Sequence, residues 1–269
     1  MTIDSNSRIR KPYSWIFFCI ILLTALFSPA AYSTAKSPGQ VHTGQLSLSF
    51  NRQGAFPIIW KACSPDCRST VAQKKVRFDS ENSSSQQLEL VIKDHPVLTD
   101  KLNSIPYRLE RKEDHKFVHM EFVSDQFEPG VALRKYYRIS KDGYEIYFSF
   151  RFVGERAEKF IRQKEIGIRL FTGKDLVPTM LSGFSSGFEK ANAVMVTVDG
   201  ATEVPYEEEE EEEAETERKL TNASLEPESW SGIRSRFWAL LLQNQNSEAE
   251  FTADFSSKGL PQVTLYSPL

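Results

Sequence analysis

The residues best suited to chemistry are two closely spaced cysteines, Cys63 and Cys67, separated by Ser-Pro-Asp. In an oxidising compartment this short spacing favours a local disulfide. A metal site would need two more ligands nearby, and a thioredoxin-like redox pair has two intervening residues rather than three. We therefore predict a Cys63–Cys67 disulfide, with two unpaired thiols as the alternative that geometry decides.

The four histidines, His42, His95, His115 and His119, are scattered along the chain. His115 and His119 would share one face of a helix. However, residues 117–123 alternate between apolar and polar as a strand does, which would place the two histidines about 13 Å apart. We predict no metal site and no cofactor.

No catalytic motif can be identified. The glycine-rich phosphate loops, the G-x-S-x-G nucleophile turn and the H-E-x-x-H zinc motif are absent from the sequence. Glu121, Asp125 and Glu128 could pair for acid–base work, but with Asp+Glu 36 a chance pairing is the expected outcome. We nominate no catalytic residue and predict that the chain is not an enzyme.

Basic and aromatic residues interleave in residues 134–138, Arg-Lys-Tyr-Tyr-Arg. Such a segment can stack bases and contact phosphates. As a strand, it would place Lys135 and Tyr137 on one face and the other three residues on the opposite face. The formal net charge of −3 and the export signal described next favour the strand, so we predict no nucleic-acid partner.

The first 35 residues are typical of a secretory signal peptide. Three basic residues precede an uncharged apolar run, residues 15–27, and small residues follow it. Cleavage could follow Ser33 or Ala35. The alternative is an uncleaved membrane anchor, because residues 14–33 provide roughly the 20 residues that a bilayer needs. Either way we predict an exported protein.

The rest of the chain, residues 36–269, is predicted to be one antiparallel all-β domain with one or two short helices. Apolar residues alternate with polar ones in many short segments, which predicts strands. These segments are residues 45–50, 88–92, 117–123, 133–140, 144–153, 165–171, 194–199, 250–255 and 262–266.

The clearest unit is a hairpin formed by residues 133–140 and 144–153. Asp142-Gly143 lies between them and would supply the positive backbone angles of a tight turn. Tyr144, Ile146 and three alternate phenylalanines share one face of the second strand. That face must pack against a second layer, so we predict a β-sandwich.

Seven consecutive glutamates, residues 207–213, interrupt the pattern. Their mutual repulsion keeps them out of a core, so we predict an acidic disordered loop at about residues 200–228. Weak calcium binding is a less favoured alternative, since cation sites need fixed geometry.

Residues 230–241 carry apolar side chains at helical spacing, with Ser229 as a candidate N-cap. We predict a helix docked on the sandwich, with a surface helix that contacts a membrane or a partner as the alternative. The candidate contact residues are Trp230, Ile233, Arg234, Arg236, Phe237 and Trp238.

Three segments, in this order, resemble the large periplasmic domain of the YidC-type membrane protein insertases. The first is GQLSLSFNRQGA, residues 44–55, which is similar to the opening strand and turn of that domain. The second combines LRKYYRI, DGYEI and FVGE within residues 133–155, and the third combines SWSGI and RFWALL within residues 229–241. The resemblance covers roughly residues 44–266.

The resemblance implies a mutarotase-like β-supersandwich in the periplasm or on the outer face of the inner membrane. The insertases carry their activity in transmembrane helices that follow this domain, and this chain has none before Leu269. We therefore expect a non-catalytic accessory module whose partners are components of protein export or insertion. Membrane contact would come through an uncleaved N-terminal segment.

Two other functions are considered beside the accessory module. One is a carbohydrate-binding periplasmic protein, since supersandwich folds often hold sugars, and it would need a histidine, a carboxylate and aromatic platforms on one face. The other is an envelope protein that lies on the membrane through the predicted helix. A likeness of fold does not choose among these functions.

Overall fold

The computed structural model describes residues 39–64, 66–67, 74–79, 86–162, 164–173, 176, 191–197, 199–204, 221–235, 239–243, 249–255 and 260–267. The predicted signal peptide and the glutamate run, residues 207–213, lie outside these residues.

The described residues form mostly strands, which confirms the prediction of an antiparallel all-β fold. The first strands are β1 (Gln40–His42), β2 (Leu46–Phe50), β3 (Pro57–Ser64), β4 (Lys74–Arg77), β5 (Glu89–Ile92), β6 (Tyr107–Glu113), β7 (Phe117–Ser124), β8 (Ala132–Ser140) and β9 (Ile146–Val153). The others are β10 (Ile166–Phe171), β11 (Asn192–Thr197), β12 (Gly200–Val204), β13 (Thr221–Leu225), β14 (Trp230–Arg234), β15 (Ala239–Gln243), β16 (Ala249–Phe255) and β17 (Pro261–Ser267). The helices are α1 (Pro96–Ser104) and α2 (Ala157–Ile161).

The strands among the described residues form four sheets. Two are meanders in chain order, β1-β2-β3-β4 and β6-β7-β8-β9. The third has the order β13-β16-β17-β10-β5, and the fourth has the order β12-β11-β14-β15. All the pairings between these strands are antiparallel.

Period-two alternation explains why the predicted strands form. In β7, every second residue from Val118 to Ser124 is buried, while the residues between them are half-buried at the outer face. In β8, Lys135 and Tyr137 are buried and Arg134, Tyr136 and Arg138 point outward. This confirms the predicted strand with two faces, and each of the nine predicted segments overlaps a strand.

The hairpin of β8 and β9 is confirmed, but its predicted tight turn is wrong. Five residues, 141–145, connect the strands, and neither Asp142 nor Gly143 has a positive φ. The loop is closed by backbone hydrogen bonds instead. The N–H of Ser140 donates to the oxygen of Glu145 at 3.0 Å, and the N–H of Lys141 donates to the oxygen of Lys116 at 2.9 Å. A longer loop anchored on Lys116, the residue before β7, does not need the positive angles of a two-residue turn.

The helix predicted over residues 230–241 is also wrong, because β14 and β15 form a hairpin there. The pairing of β14 with β11 supplies backbone partners that lie far away in the sequence. Gly232 further disfavours a helix, since glycine costs roughly 1 kcal/mol in a helix interior. The tertiary pairing therefore overrides the helical spacing of the apolar residues.

The loop predicted at about residues 200–228 is wrong near both ends, where strands form, and its middle, residues 205–220, lies outside the described residues. Strand β12 occupies its first residues and pairs with β11. Strand β13 occupies residues near its end and pairs with β16. Both strands are short, and β12 is exposed at four of its five positions, so neither carries a strong apolar pattern.

One apolar core contains buried residues from all four sheets. The two meander sheets meet through Phe50, whose ring centroid lies 5.5 Å from that of Phe122 and 4.8 Å from that of Tyr137. Helix α1 packs on β5, where the side chain of Asn103 bonds both backbone groups of Leu90. Neither helix in the described part of the chain has the length and apolarity needed to cross a membrane.

Candidate binding groove

A cavity of about 1,530 Å³, called the groove below, opens between β9 and the β14–β15 hairpin. Its lining combines residues from the four sheets. Apolar residues from β2, β3, β10 and β17 contribute to it, together with Phe78 just after β4. These strands are far apart in the sequence, so the groove exists only in the folded protein.

Strand β9 forms the first wall of the groove. Ile146, Phe148 and Phe150 line it, and each is half-buried because one side packs on the core. The Phe148 ring centroid lies 4.8 Å from that of Tyr137 and 6.2 Å from that of Phe150. The apolar face of β9 was predicted to pack against a second layer. Part of this face does pack on the core, and the rest of it lines the groove.

The β14–β15 hairpin forms the second wall through Trp230, Leu240 and Leu242. Trp230 is 39% exposed, which is unusual for the largest apolar side chain. Gly232 lets the two strands lie close together, because a Cβ atom there would be 2.1 Å from the Leu240 oxygen. The hairpin thus presents apolar side chains from a rigid pair of strands.

The predicted contact residues have different positions in the structure. Trp230 lines the groove, whereas Ile233 is fully buried in the core, so its predicted contact with a partner or membrane is wrong. Arg234 is exposed and forms an ion pair of 3.0 Å with Glu203. The other three candidates, Arg236, Phe237 and Trp238, lie outside the described residues.

The two cysteines lie close to the groove. The structure joins Cys63 and Cys67 by a disulfide, with their Cα atoms 5.0 Å apart. The hydroxyl of Tyr144, a groove residue, donates a hydrogen bond of 2.9 Å to the Cys63 oxygen. The disulfide loop therefore supports one end of the β9 wall.

A histidine–carboxylate pair lies at the rim of the groove. His119 Nε2 is 2.8 Å from Asp114 Oδ2, and the N–H groups of Lys116 and Phe117 donate to Asp114 Oδ1. The hydrogen bond with His119, followed by the two backbone bonds, lowers the pKa of Asp114. Side-chain alternation does not indicate this pair, because it is the β6–β7 turn that brings Asp114 and His119 together.

An arginine lies over two aromatic rings beside this pair. The Arg138 guanidinium carbon is 4.1 Å from the centroid of the Tyr147 ring and 4.8 Å from that of Phe117. The Phe117 and Tyr147 rings are themselves edge to face at 6.0 Å. The rim therefore combines charge with flat aromatic surface.

Lys135 is the most unusual ionisable group of the described chain. It is fully buried, its Nζ donates to the Gly54 oxygen at 2.6 Å, and it lies 5.4 Å from the centroid of the Tyr107 ring. Burial lowers the pKa of Lys135 to about 7, an effect that the charge of Glu89 opposes. The one sequence signal was its alternation with Leu133 and Tyr137 on the apolar face of β8.

Two of the three acid–base candidates are engaged in separate ion pairs. Glu121 pairs with Arg134 at 3.0 Å, and Glu128 pairs with Lys101 at 3.0 Å. Asp125 is exposed. Across the residues that the structure describes, no group of three or more His, Cys, Asp or Glu is placed to hold a metal ion.

Comparison of the chain with models of known protein families gives no match, and comparison with curated proteins gives none. The resemblance to the insertase domain stays a prediction. The groove itself offers a wide apolar surface with a charged and aromatic rim, an arrangement suited to binding.

Proposed function

We propose that this chain is a non-catalytic, exported interaction module whose groove binds apolar segments of other polypeptides. We assign it an accessory role in membrane-protein insertion or export. The observation that carries the proposal is the groove volume of about 1,530 Å³. Sites for small ligands have roughly 300–1,000 Å³, so the groove suits a longer occupant such as a polypeptide segment.

The chemistry of the groove supports an apolar client. Phe148 and Phe150 on one wall and Trp230 on the other present large side chains that remain only partly buried. Removing such surface from water contributes roughly 25 cal/mol for each Å², which offsets the loss of translational and rotational freedom on binding. Clients of an insertion or export pathway contain long apolar segments, which match this surface.

The proposed location and fold follow from the same set of features. An N-terminal signal directs the chain across the inner membrane, and a disulfide is typical of the oxidising compartment outside it. We further propose that the four sheets form the β-supersandwich of the YidC-type periplasmic domain. The contact of Phe50 with Phe122 and Tyr137 across two sheets supports face-to-face packing.

The proposal is tested by photo-crosslinking the full chain in cells. A photoreactive amino acid is placed at Trp230 in the groove or, as a control, at Val97 on α1, which is 77% exposed and outside the groove. We expect crosslinks from Trp230 to translocon or insertase subunits or their clients, and not from Val97. The absence of crosslinks at Trp230, with the protein free in the periplasmic fraction, would overturn the proposal.

Carbohydrate binding is the second candidate, and the rim favours it. His119 and Asp114 pair beside the rings of Phe117 and Tyr147, which is the combination that sugar binding requires. Arg138 already covers both rings, so this candidate ranks second. Binding on a glycan array that is lost in Tyr147→Ala and kept in Trp230→Ser would support it over the first.

A further inference from the structure

We infer that strand β9 binds its partner by strand addition, so that an extended polypeptide segment becomes a fifth strand beside β9. This inference rests on the proposed function, because it specifies how the groove holds a polypeptide. The segment would place alternate apolar side chains in the groove and expose the others on the outer face of the sheet.

The hydrogen-bond pattern shows which backbone groups of β9 are available. The N–H of Ser140 donates to the oxygen of its partner Glu145, which makes these two a hydrogen-bonded pair. Bonded and non-bonded pairs alternate along an antiparallel ladder. The next bonded pair is therefore Arg138 with Tyr147, whereas Ile146 has a non-bonded partner, Ile139.

The same alternation extends along the strand. Phe148 and Phe150 are also in non-bonded positions relative to β8, so their N–H and C=O groups point away from it. Among the described strands, β9 pairs with β8 alone and forms the edge of its sheet. A row of backbone donors and acceptors is thus presented at this edge.

Three residues of β9 with outward backbone groups also line the groove. Ile146, Phe148 and Phe150 all have both properties. A segment that pairs with these backbone groups therefore brings its own alternate side chains against the same apolar surface. Main-chain bonds would supply affinity, and the apolar surface would select the side chains.

The opposite edge of this sheet is protected, whereas no described strand pairs with the outer edge of β9. At the β6 edge, the N–H of Tyr107 donates to the oxygen of Arg52 at 2.8 Å, and Arg111 donates to the oxygen of Gln40. Proteins commonly block an open edge with proline, lysine or a bulge. Strand β9, IYFSFRFV, has neither proline nor lysine, and its ladder with β8 is regular.

The outer face of the sheet adds a charge requirement. Arg151 on β9 is exposed and forms no ion pair with a described residue, and its neighbour across the ladder is Arg134. A glutamate or aspartate on the added strand opposite Arg151 would pair with it, since opposite charges on facing strands attract. The predicted occupant is therefore a segment of another polypeptide with alternating apolar residues and an acidic residue on its other face.

A second copy of this chain is a poorer occupant. The β9 strand of the second copy is attached to its own four-stranded sheet, which is bulkier than a single segment. It would also bring a second Arg151 to a face that already carries Arg151 and Arg134. A single extended segment avoids both problems and can enter between β9 and the β14–β15 hairpin. Self-association through β9 is thus an outcome against the inference.

The test uses the secreted full chain and a fluorescent eight-residue peptide in which valine alternates with threonine and one threonine is replaced by glutamate. Two further versions are N-methylated, one at the valines and the other at the remaining threonines. Only alternate amides of an added strand face β9. We expect one methylated set to weaken binding by at least about ten-fold, as several backbone bonds are lost, and the other set to bind as the unmodified peptide does.

Hydrogen exchange and a charge reversal complete the test. Peptide binding should protect the amides of Ile146, Phe148 and Phe150, whereas Tyr147 and Ser149 should change little. Arg151→Glu should weaken binding of the glutamate peptide by up to about five-fold and favour a lysine peptide by a similar factor. Because Arg151 is exposed, this variant should fold normally.

The results separate this inference from the proposed function. Equal weakening by both methylated sets would show binding through side chains alone and would overturn strand addition while leaving the interaction module intact. No binding of any peptide, or dimerisation protecting β9, would also overturn strand addition. The crosslinks from Trp230 would still test the proposed function independently.

Discussion

Lys135 Nζ donates a hydrogen bond of 2.6 Å to the oxygen of Gly54, although the lysine is fully buried. Next to it in the same strand, the hydroxyl of Tyr137 donates to the oxygen of Ala55 at 2.7 Å. Both Gly54 and Ala55 have a positive φ. Two polar groups of β8 thus hold the strained turn that precedes β3, because buried carbonyl oxygens need donors.

The buried lysine makes stability depend on pH. Burial lowers its pKa from 10.5 to about 7, so between these values the unfolded chain holds a proton that the folded chain lacks. The free energy of unfolding should therefore rise with pH above about 7, by at most about 1.4 kcal/mol per pH unit. Urea denaturation at pH 7 and pH 9 measures this rise.

Lys135→Met should abolish that rise, whereas Lys112→Met, at an exposed position, should keep it. At pH 9 Lys135→Met should be less stable than the wild type by about 1–3 kcal/mol, because the Gly54 oxygen loses its donor. If the free energy of unfolding rose equally with pH in the wild type and in Lys135→Met, the rise could not be attributed to Lys135.

The disulfide should contribute modestly to stability. Closing the five-residue loop from Cys63 to Cys67 limits the unfolded chain, which is worth about 2 kcal/mol for a loop of this size. We expect Cys63→Ala/Cys67→Ala to lower the free energy of unfolding by that amount in guanidinium titrations. A reducing agent should lower the stability of the wild type equally and leave the double variant unchanged.

The amide of Asn103 should be essential to the contact between α1 and β5. Its Nδ2 donates to the oxygens of Leu90 at 2.7 Å and Thr99 at 2.8 Å, and its Oδ1 accepts the Leu90 N–H at 3.3 Å. Asn103→Leu leaves these buried groups unpaired and should cost about 1–3 kcal/mol. The neighbouring exposed position serves as control, where Ser104→Ala should change stability by less than about 0.5 kcal/mol.

Gly232 distinguishes the observed hairpin from the helix expected from sequence. A Cβ atom there would lie 2.1 Å from the Leu240 oxygen and 2.9 Å from the Leu241 Cα. Gly232→Ala should therefore destabilise the protein by about 1–3 kcal/mol or more. In a helix the same change would stabilise by about 1 kcal/mol, so thermal denaturation reports on the local structure through the sign of the shift.

A neighbouring substitution controls for the effect of altering β14. The Ser231 Oγ is buried and has no hydrogen-bond partner among the described atoms. Ser231→Ala removes that unsatisfied hydroxyl and should be neutral or stabilising by up to about 1 kcal/mol. If Ser231→Ala lost as much stability as Gly232→Ala, β14 would be sensitive to any substitution. The loss in Gly232→Ala could then not be attributed to the contact of its Cβ atom with the Leu240 oxygen.

The strand predictions succeeded where one face of a segment is buried. In β7 and β8 the alternation is set by neighbouring residues, since successive side chains point to opposite faces. Helical spacing failed at residues 230–241 because apolar residues there recur by coincidence at a period near 3.6, while β11 provides the backbone partners of β14. Strands such as β12 have no apolar face, so no local pattern indicates them.

The groove could be predicted only in its parts. The sequence placed Ile146, Phe148 and Phe150 on one face and singled out Trp230, but it assigned Trp230 to a helix. It did not indicate that Asp114 and His119 pair at the rim, and it placed Lys135 on one face with Tyr137 without indicating that this lysine is fully buried. Each of these depends on which element packs against which, and a single sequence contains no record of those contacts.

By itself, the sequence determined that this protein is antiparallel β and which face of each well-patterned strand is apolar. Both properties are local, because they follow from side-chain alternation over a few residues. Only the tertiary structure decided that β10 pairs with β5 and β17, that β14 is a strand, and that β9 is an edge beside an open groove. These depend on partners distant in the sequence, whose choice is fixed by the packing of the whole core.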